Sequence, residues 1–323
     1  MAPVSNTVEK LVLAAPRGYC AGVDRAVQTV ERALEKHGSP VYVRKEIVHN
    51  KHVVEELRGR GAVFVDEHTE VPEGAVCVFS AHGVSPAVRA GAAERRLETI
   101  DATCPLVTKV HREAVNFASR GYTVVLVGHS HHEEVEGTMG EAPGQIVLVE
   151  REQDVDELEL EDPEHVAYIT QTTLAVDETS SIIARLRERF PKIVGPRTDD
   201  ICYATTNRQA AVKQMADGCD LLLVIGSRNS SNSQRLVEVA RDCGTDAYLI
   251  DTAREVREEW LEGRRVVGIS SGASAPENLV RELVDFFRAR GVEEVSEFHV
   301  VNEDVRFMLP KPIREAATAG GTR

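Results

Sequence analysis

The chain has 323 residues, with 38 Lys and Arg against 52 Asp and Glu, a net charge of −14, and 42% hydrophobic residues. That composition fits a globular protein with room for a sizeable core in one to three domains. The acidic balance repels nucleic-acid phosphates and excludes general nucleic-acid binding.

No apolar stretch approaches the ~20 residues needed to cross a bilayer. The opening "MAPVSNTVEK" has no basic flank before an apolar run, so neither membrane insertion nor a signal peptide is expected, and the expected location is cytoplasmic. Six cysteines in such a chain argue for metal ligation, catalysis or burial rather than a disulfide framework.

In chain order the apolar runs "KLVLAA", "VYVRKEIV", "GAVFV", "AVCVFS", "TVVLVGH", "IVLV", "VAYIT", "LLLVIGS", "AYLI" and "RVVGISS" read as strands. Helical periodicity lies between many of them, at 21–37, 105–120, 177–190, 206–217, 232–243 and 276–290. This alternation predicts an α/β fold with mainly parallel sheets. The acidic stretch 150–164 reads as a solvated helix face and a loop. Residues 1–9 and 311–323 read as poorly ordered tails.

Three cysteines divide the chain into similar parts: Cys20 in "PRGYCAGVDRAV", Cys104 in "DATCPLVTKVH" and Cys202 in "DDICYATTNRQ", each opening a helical segment. Aligning on them exposes a repeat of layout. A polar cluster after a strand contains His49, His132 or Ser230; from 20 to 49, 104 to 132 and 202 to 230 the offsets are 29, 28 and 28 residues. A second cluster follows another strand and contains His82, Thr172 or Ser274. The expected domains are 10–98, 99–196 and 197–310, three similar α/β units in a pseudo-threefold arrangement around a central cavity. Ligands of parallel α/β sheets bind beyond the carboxyl ends of the strands, where all these clusters fall.

A thiol at a helix N-terminus is stabilised as thiolate by the dipole and free N–H groups. Singly, such a cysteine is more often a buried, inert one; three in equivalent places suggest a shared metal centre. Three thiolates suit zinc or an iron–sulfur cluster, and the chain has no Cys-x-x-Cys pair of the kind closed zinc sites use. Cys77 reads as a core residue, and Cys219 and Cys243 lie outside the repeated position. His49, His82 and His132, with Ser230, Ser231, Asn232 and Ser274 at helix starts, suggest an anion pocket suited to a diphosphate. Taken one at a time these are ordinary capping residues and satisfied histidines. Glu134, two residues after His132, is a candidate proton donor, and Thr172 a candidate partner for a substrate hydroxyl. No Gly-x-Gly-x-x-Gly or Gly-x-x-x-x-Gly-Lys-Ser/Thr motif supports a nucleotide.

Together "PRGYCAGVDRAV", "SAHGVS", "DATCPLVTKVH", "GHSHHEEVEGTMG", "TQTTL", "DDICYATTNRQ", "GSRNSSNSQRL" and "GASAPE" resemble the 4-hydroxy-3-methylbut-2-enyl diphosphate reductases of the methylerythritol phosphate route to isoprenoids. The resemblance implies a three-lobed fold around one oxygen-sensitive 4Fe–4S cluster with an open iron, held by Cys20, Cys104 and Cys202. It implies diphosphate binding by His49, His82, His132, Ser230, Ser231, Asn232 and Ser274. Glu134 then matches the proton-relaying residue and Thr172 the one that orients the substrate hydroxyl. One departure is Glu133, where these reductases often carry Pro.

The implied reaction is a two-electron reductive dehydroxylation of (E)-4-hydroxy-3-methylbut-2-enyl diphosphate to isopentenyl and dimethylallyl diphosphate. Without a flavin or nicotinamide motif, the electrons are expected from a small carrier such as ferredoxin or flavodoxin. A zinc phosphohydrolase and a non-catalytic diphosphate sensor are the competing readings of the same residues.

Overall fold

The structure is a computed structural model that describes residues 8–314. The chain begins β1 (Lys10–Ala15), α1 (Ala21–His37), β2 (Val41–Arg44), α2 (Lys51–Gly59), β3 (Ala62–Val65) and β4 (Val76–Phe79). Next come α3 (Pro86–Glu94), β5 (Glu98–Asp101), α4 (Pro105–Ser119), β6 (Thr123–Val127), α5 (Glu133–Met139) and β7 (Ile146–Val149). After these come α6 (Glu152–Glu157), β8 (Val166–Thr170), α7 (Val176–Arg189), α8 (Tyr203–Ala216), β9 (Leu221–Ile225) and α9 (Ser231–Asp242). The last elements are β10 (Asp246–Ile250), α10 (Glu258–Leu261), β11 (Val266–Ser271), α11 (Glu277–Arg288), β12 (Glu294–His299) and α12 (Lys311–Arg314).

The strands form three sheets, in the orders β3-β2-β4-β5, β7-β6-β8 and β10-β9-β11-β1-β12. Every named pairing is parallel, as expected for an α/β fold. The central strands are buried on both faces. In β9, Leu221, Leu223 and Ile225 pack with Leu279, Leu283 and Phe287 of α11. Leu222 and Val224 point the other way, to Val212 and Met215 of α8 and Leu236 of α9. The same alternation splits β6: Val124 and Leu126 join Val110, Ala114 and Phe117 of α4, and Val125 and Val127 join Ile182 and Leu186 of α7.

The residues fall into two compact units. One holds residues up to Cys20, His49–Lys51 and Tyr203–Val305, and so contains the five-stranded sheet. The other holds Ala21–Val48, His52–Cys202 and the residues from Arg306, with the two smaller sheets.

β1 differs from expectation. Read as the opening strand of a domain over 10–98, it instead lies between β11 and β12, with Leu11 opposite Val267 and Val295. The reason is burial: Leu11 and Leu13 complete the apolar layer of Leu221, Ile269 and Phe287. β5 and β12 were not anticipated. Both are sheet edges carrying charge, "ETID" and "EVSEFH", which removes the apolar signal on which a strand reading depends.

The expected tails are partly ordered. Val8 is buried, the Glu9 N–H donates to the Arg265 carbonyl at 2.9 Å, and α12 buries Ile313. Residues 1–7 and 315–323 lie outside the described residues.

Candidate active site

The polar clusters follow equivalent strands. His49, His132 and Ser230 each stand five residues past a strand, counted from Arg44 of β2, Val127 of β6 and Ile225 of β9. His82, Thr172 and Ser274 stand two or three residues past β4, β8 and β11. Within each sheet these are neighbouring strands, so both clusters lie at the same carboxyl edge.

The cysteines are tethered alike. The Cys104 N–H donates to Ala81 O at 2.9 Å, the Cys202 N–H to Thr172 O at 3.0 Å and the Cys20 N–H to Ala273 O at 3.2 Å. Each cysteine therefore hangs from the second polar cluster of the sheet before it, and for Cys20 that sheet is the one built by residues 221–299. All three are half-buried and sit directly before α1, α4 or α8. Burial pushes the Cys77 thiol up to about 11, and burial followed by Asp220 does the same for Cys219. Cys243 is exposed at the end of α9. Half-buried thiols directly before a helix suit a soft, thiolate-held group, and Cys20, Cys104 and Cys202 each have that placement.

In the unit with the smaller sheets, His82, His132, Glu134 and Thr172 form one connected group. His132 caps α5, and its Nδ1 accepts the Glu134 N–H at 3.2 Å. His131 before it lies in the left-handed region at φ 65°, uncommon for a residue with a side chain, which turns the loop into the helix. Glu134 is only 2% exposed. Its Oε1 accepts the Thr172 N–H at 2.7 Å and its Oε2 the Thr172 hydroxyl at 2.9 Å.

The neighbouring acid has a different partner: Glu133 Oε2 lies 2.8 Å from His82 Nδ1. The His82 and His132 rings meet edge to face with centroids 5.8 Å apart. The departure at 133 therefore leaves the two acids with separate duties, Glu134 at Thr172 and Glu133 at His82.

Residues not singled out from the sequence support this group. The His111 ring packs beneath Gly83, and its Nδ1 lies 2.7 Å from Glu141; burial, the largest influence, lowers its pKa. Asp200, two residues before Cys202, accepts the Thr170 N–H at 2.9 Å and Lys109 Nζ at 2.8 Å. Beside it, burial first and Asp200 second push the Glu113 carboxyl up to about 8. Gln171 ties the two loops together, its N–H donating to Val127 O at 2.8 Å and its Oε1 accepting the His129 N–H at 3.0 Å. The only signal for these residues was polarity inside otherwise apolar patterns.

In the other unit, Ser230 caps α9 and accepts the Ser233 N–H at 3.3 Å. Buried Asn232 takes the Ala273 N–H on Oδ1 at 2.9 Å and donates to Thr205 Oγ1 at 3.2 Å. The Ser274 hydroxyl donates to His49 O at 2.9 Å, which brings the His49 and Ser274 segments together, while Ser231 is half-buried on the first turn of α9. Asn232 and Cys20 thus grip the two sides of one peptide unit series, Ala273 N–H and Ala273 O. The loop before Cys20 is fixed from two more directions: Ser271 Oγ accepts the Gly18 N–H at 2.8 Å, and Arg208 donates to Gly18 O at 2.7 Å.

The chain is similar to known proteins over almost its whole length. A sequence model of the family described as LytB protein matches residues 11–288. A 4-hydroxy-3-methylbut-2-enyl diphosphate reductase of Nocardia farcinica (strain IFM 10152) is 60% identical over 311 residues, covering 96% of this chain and 93% of that one. One from Streptomyces avermitilis is 56% identical, covering 96% and 92%. Among solved structures, the E-1-hydroxy-2-methyl-but-2-enyl-4-diphosphate reductase of Plasmodium falciparum superposes with a TM-score of 0.93 at 37% identity, covering 96% of this chain and 98% of that one. A family match over residues 11–288, which include Cys20, Cys104 and Cys202, together with relatives this similar over almost the whole length, means that the chain belongs to the LytB family of 4-hydroxy-3-methylbut-2-enyl diphosphate reductases.

Proposed function

We propose that this chain catalyses the reductive dehydroxylation of (E)-4-hydroxy-3-methylbut-2-enyl diphosphate to isopentenyl and dimethylallyl diphosphate, the last step of the methylerythritol phosphate pathway. The observation that carries the reading is the equivalent tethering of three half-buried cysteines, each by its N–H, beside the polar clusters that follow β4, β8 and β11. Cys20, Cys104 and Cys202 would hold one 4Fe–4S cluster. When bound, it supplies the two electrons of the reduction and Lewis acidity at the hydroxyl-bearing end of the substrate.

The remaining chemistry belongs to side chains. His49, His82, His132, Ser230, Ser231, Asn232 and Ser274 bind the diphosphate through N–H and O–H donors at strand ends and helix starts. Thr172 orients the substrate hydroxyl and holds the Glu134 carboxyl. Glu134 supplies a proton to the departing hydroxyl. The C–O bond breaks, the oxygen leaves as water, and two electrons with a second proton complete the allylic fragment at either end, giving the two products. Burial of Glu134 and Thr172 keeps bulk water from the proton path.

The electron donor in this reading is ferredoxin or flavodoxin, and the setting is the cytoplasm; no helix among the described residues is long and apolar enough to cross a membrane. We further infer three repeats of strands followed by a cysteine, so that each cysteine closes a repeat rather than opening one.

The test is iron and acid-labile sulfide per chain after anaerobic preparation, together with turnover on a chemical reductant. About four of each and reductant-dependent loss of the hydroxyl are expected. Zinc, or no metal after anaerobic reconstitution, would sink the reading in favour of a hydrolase or a sensor.

A further inference from the structure

We propose that Arg25, Lys109 and Arg208 are positioning residues for the metal centre, each fixing through its cationic head the loop that carries the next cysteine in the order Cys20, Cys104, Cys202, Cys20. This rests on the reading of those cysteines as cluster ligands. It adds what sets the backbone that presents them.

The three cations occupy one place in the repeat. From 20 to 25, 104 to 109 and 202 to 208 the offsets are 5, 5 and 6 residues, so each cation lies in the second turn of the helix that its cysteine opens. Each head reaches backbone carbonyls just ahead of the following cysteine. The Arg25 guanidinium donates to Ala102 O at 2.8 Å and Thr103 O at 3.0 Å, with Asp101 O at 3.4 Å, all before Cys104. Lys109 Nζ donates to Thr198 O at 2.7 Å and Asp199 O at 3.0 Å, before Cys202. Arg208 donates to Gly18 O at 2.7 Å, before Cys20. The first two clamps lie inside the unit with the smaller sheets and the third inside the other.

These loops need donors from outside. Residues 16–20, 102–104 and 195–202 belong to no helix or strand, so no regular ladder pairs their carbonyls. A long cationic side chain on a helix meets that need with several N–H groups at once. Charge is the lesser part of the effect. Asp200 Oδ1 lies 2.8 Å from Lys109 Nζ, and Glu303 lies 3.0 Å from Arg208, so a carboxylate offsets each of these cations. Burial lowers the Arg25 pKa most, and Asp101 and then Cys104 act against it, which places this cation in the field of the cysteine whose loop it holds.

The test is release of iron to a chelator from the anaerobically prepared holoprotein, followed by loss of the cluster's visible absorption. Thermal unfolding is measured beside it. Arg25→Met and Lys109→Met remove the donors and keep an unbranched apolar stem, whereas Arg25→Lys and Lys109→Arg keep a cation that the repeat itself uses. Arg208 is fully buried, so its replacement would report folding first. Arg95→Met is the control, because Arg95 donates to Val71 O at 2.7 Å and touches none of the three loops.

Both Met variants are expected to release iron faster than wild type by about tenfold or more, the usual cost of losing support behind metal ligands. The Lys and Arg exchanges and Arg95→Met should release it much as wild type does. Release from Arg25→Met and Lys109→Met no faster than from Arg95→Met overturns the inference and leaves the cluster assignment standing. Acceleration that only tracks the fall in Tm across all variants, Arg95→Met included, overturns it too. Iron and sulfide unchanged in Cys104→Ala would remove the underlying reading, and the inference with it.

Discussion

Replacing Glu134 by Gln separates the structural from the chemical duty of the most buried acid in the site. Thr172 gives Glu134 two hydrogen bonds, from its N–H at 2.7 Å and its hydroxyl at 2.9 Å. A Gln side chain of the same shape keeps an oxygen for the N–H, and the Thr172 hydroxyl rotates to accept from the new amide. The net change in stability should stay within about 1 kcal/mol, the worth of one adjusted hydrogen bond.

An amide cannot deliver a proton, and removing a general acid costs about 10²–10⁴ in rate. That range corresponds to about 2.7–5.4 kcal/mol of barrier. Glu134→Ala serves as the control: it strands the buried Thr172 N–H, worth about 1–3 kcal/mol, and opens a cavity besides. The assay pairs anaerobic turnover on a chemical reductant with thermal unfolding of wild type and both variants. Glu134→Gln should melt close to wild type with kcat down at least a hundredfold, and Glu134→Ala should melt clearly lower. Turnover of Glu134→Gln within threefold of wild type would refute the proton role and leave the carboxylate a structural anchor for Thr172.

Other perturbations test the support around the site. Gly83 follows His82 at φ +83°, and a Cβ there would lie 3.0 Å from His111 Cε1 and 3.2 Å from Thr103 Cγ2; Gly83→Ala should cost about 1–3 kcal/mol and raise KM for the diphosphate substrate, and unchanged Tm and KM would count against this packing. Glu113, whose carboxyl is raised from an ordinary 4.5 to about 8, contributes stability that is complete below 4.5 and lost as pH rises through 8. Glu113→Gln should therefore gain on wild type in Tm as pH climbs from 5 to 9, and parallel Tm curves would contradict the shift. Arg208 is fully buried and holds Glu303 at 3.0 Å as well as Gly18 O. Arg208→Ala should cost about 3–5 kcal/mol by leaving Glu303 without its counter-charge, with only Asn207 still donating to it, measurable in urea unfolding; a change under 1 kcal/mol would mean the pair is solvated.

Much of this architecture was legible because parallel strands buried on both faces write themselves as short apolar runs, as in "TVVLV" and "LLLVI". The helix α11 was legible for a related reason, its stripe of Leu279, Val280, Leu283, Val284 and Phe287 being continuous. Short elements were not. α5 has seven residues, three of them acidic in the first turn, and its existence follows from the His132 cap rather than from an apolar stripe. α8 was placed within a few residues at its start although it buries residues on several sides, Arg208 and Gln209 among them, which blurs any stripe.

The site residues were legible as chemistry, but their mutual bonds were not. Nothing in the string "HHEEVEG" says that the first acid turns to His82 and the second to Thr172; the helix start at Glu133 decides it, because residues 133 and 134 leave a helix about 100° apart.

The spacing of the repeat was visible in the three cysteines, but its phase was not. Aligned on cysteine, each unit begins with a thiol and ends with a polar turn. The hydrogen bonds tie each cysteine's backbone N–H instead to a turn that follows a strand: Cys104 to Ala81, Cys202 to Thr172, Cys20 to Ala273. β1 follows the same phase, joining the sheet of β9–β12 as its fourth strand, in the place that β5 takes beside β4. Chain order hides this because the last repeat is split, its final strand and cysteine standing at the N-terminal end of the described residues. The consequence is energetic as well as topological. The segment that carries Cys20 has its N–H and C=O groups held by Ser271, Ala273 and Arg208, residues about 190 to 250 positions away, so its geometry depends on long-range packing rather than on its neighbours in sequence. Substitutions in 266–274 should therefore disturb Cys20 before they disturb Cys104 or Cys202, whose tethers lie in the other unit.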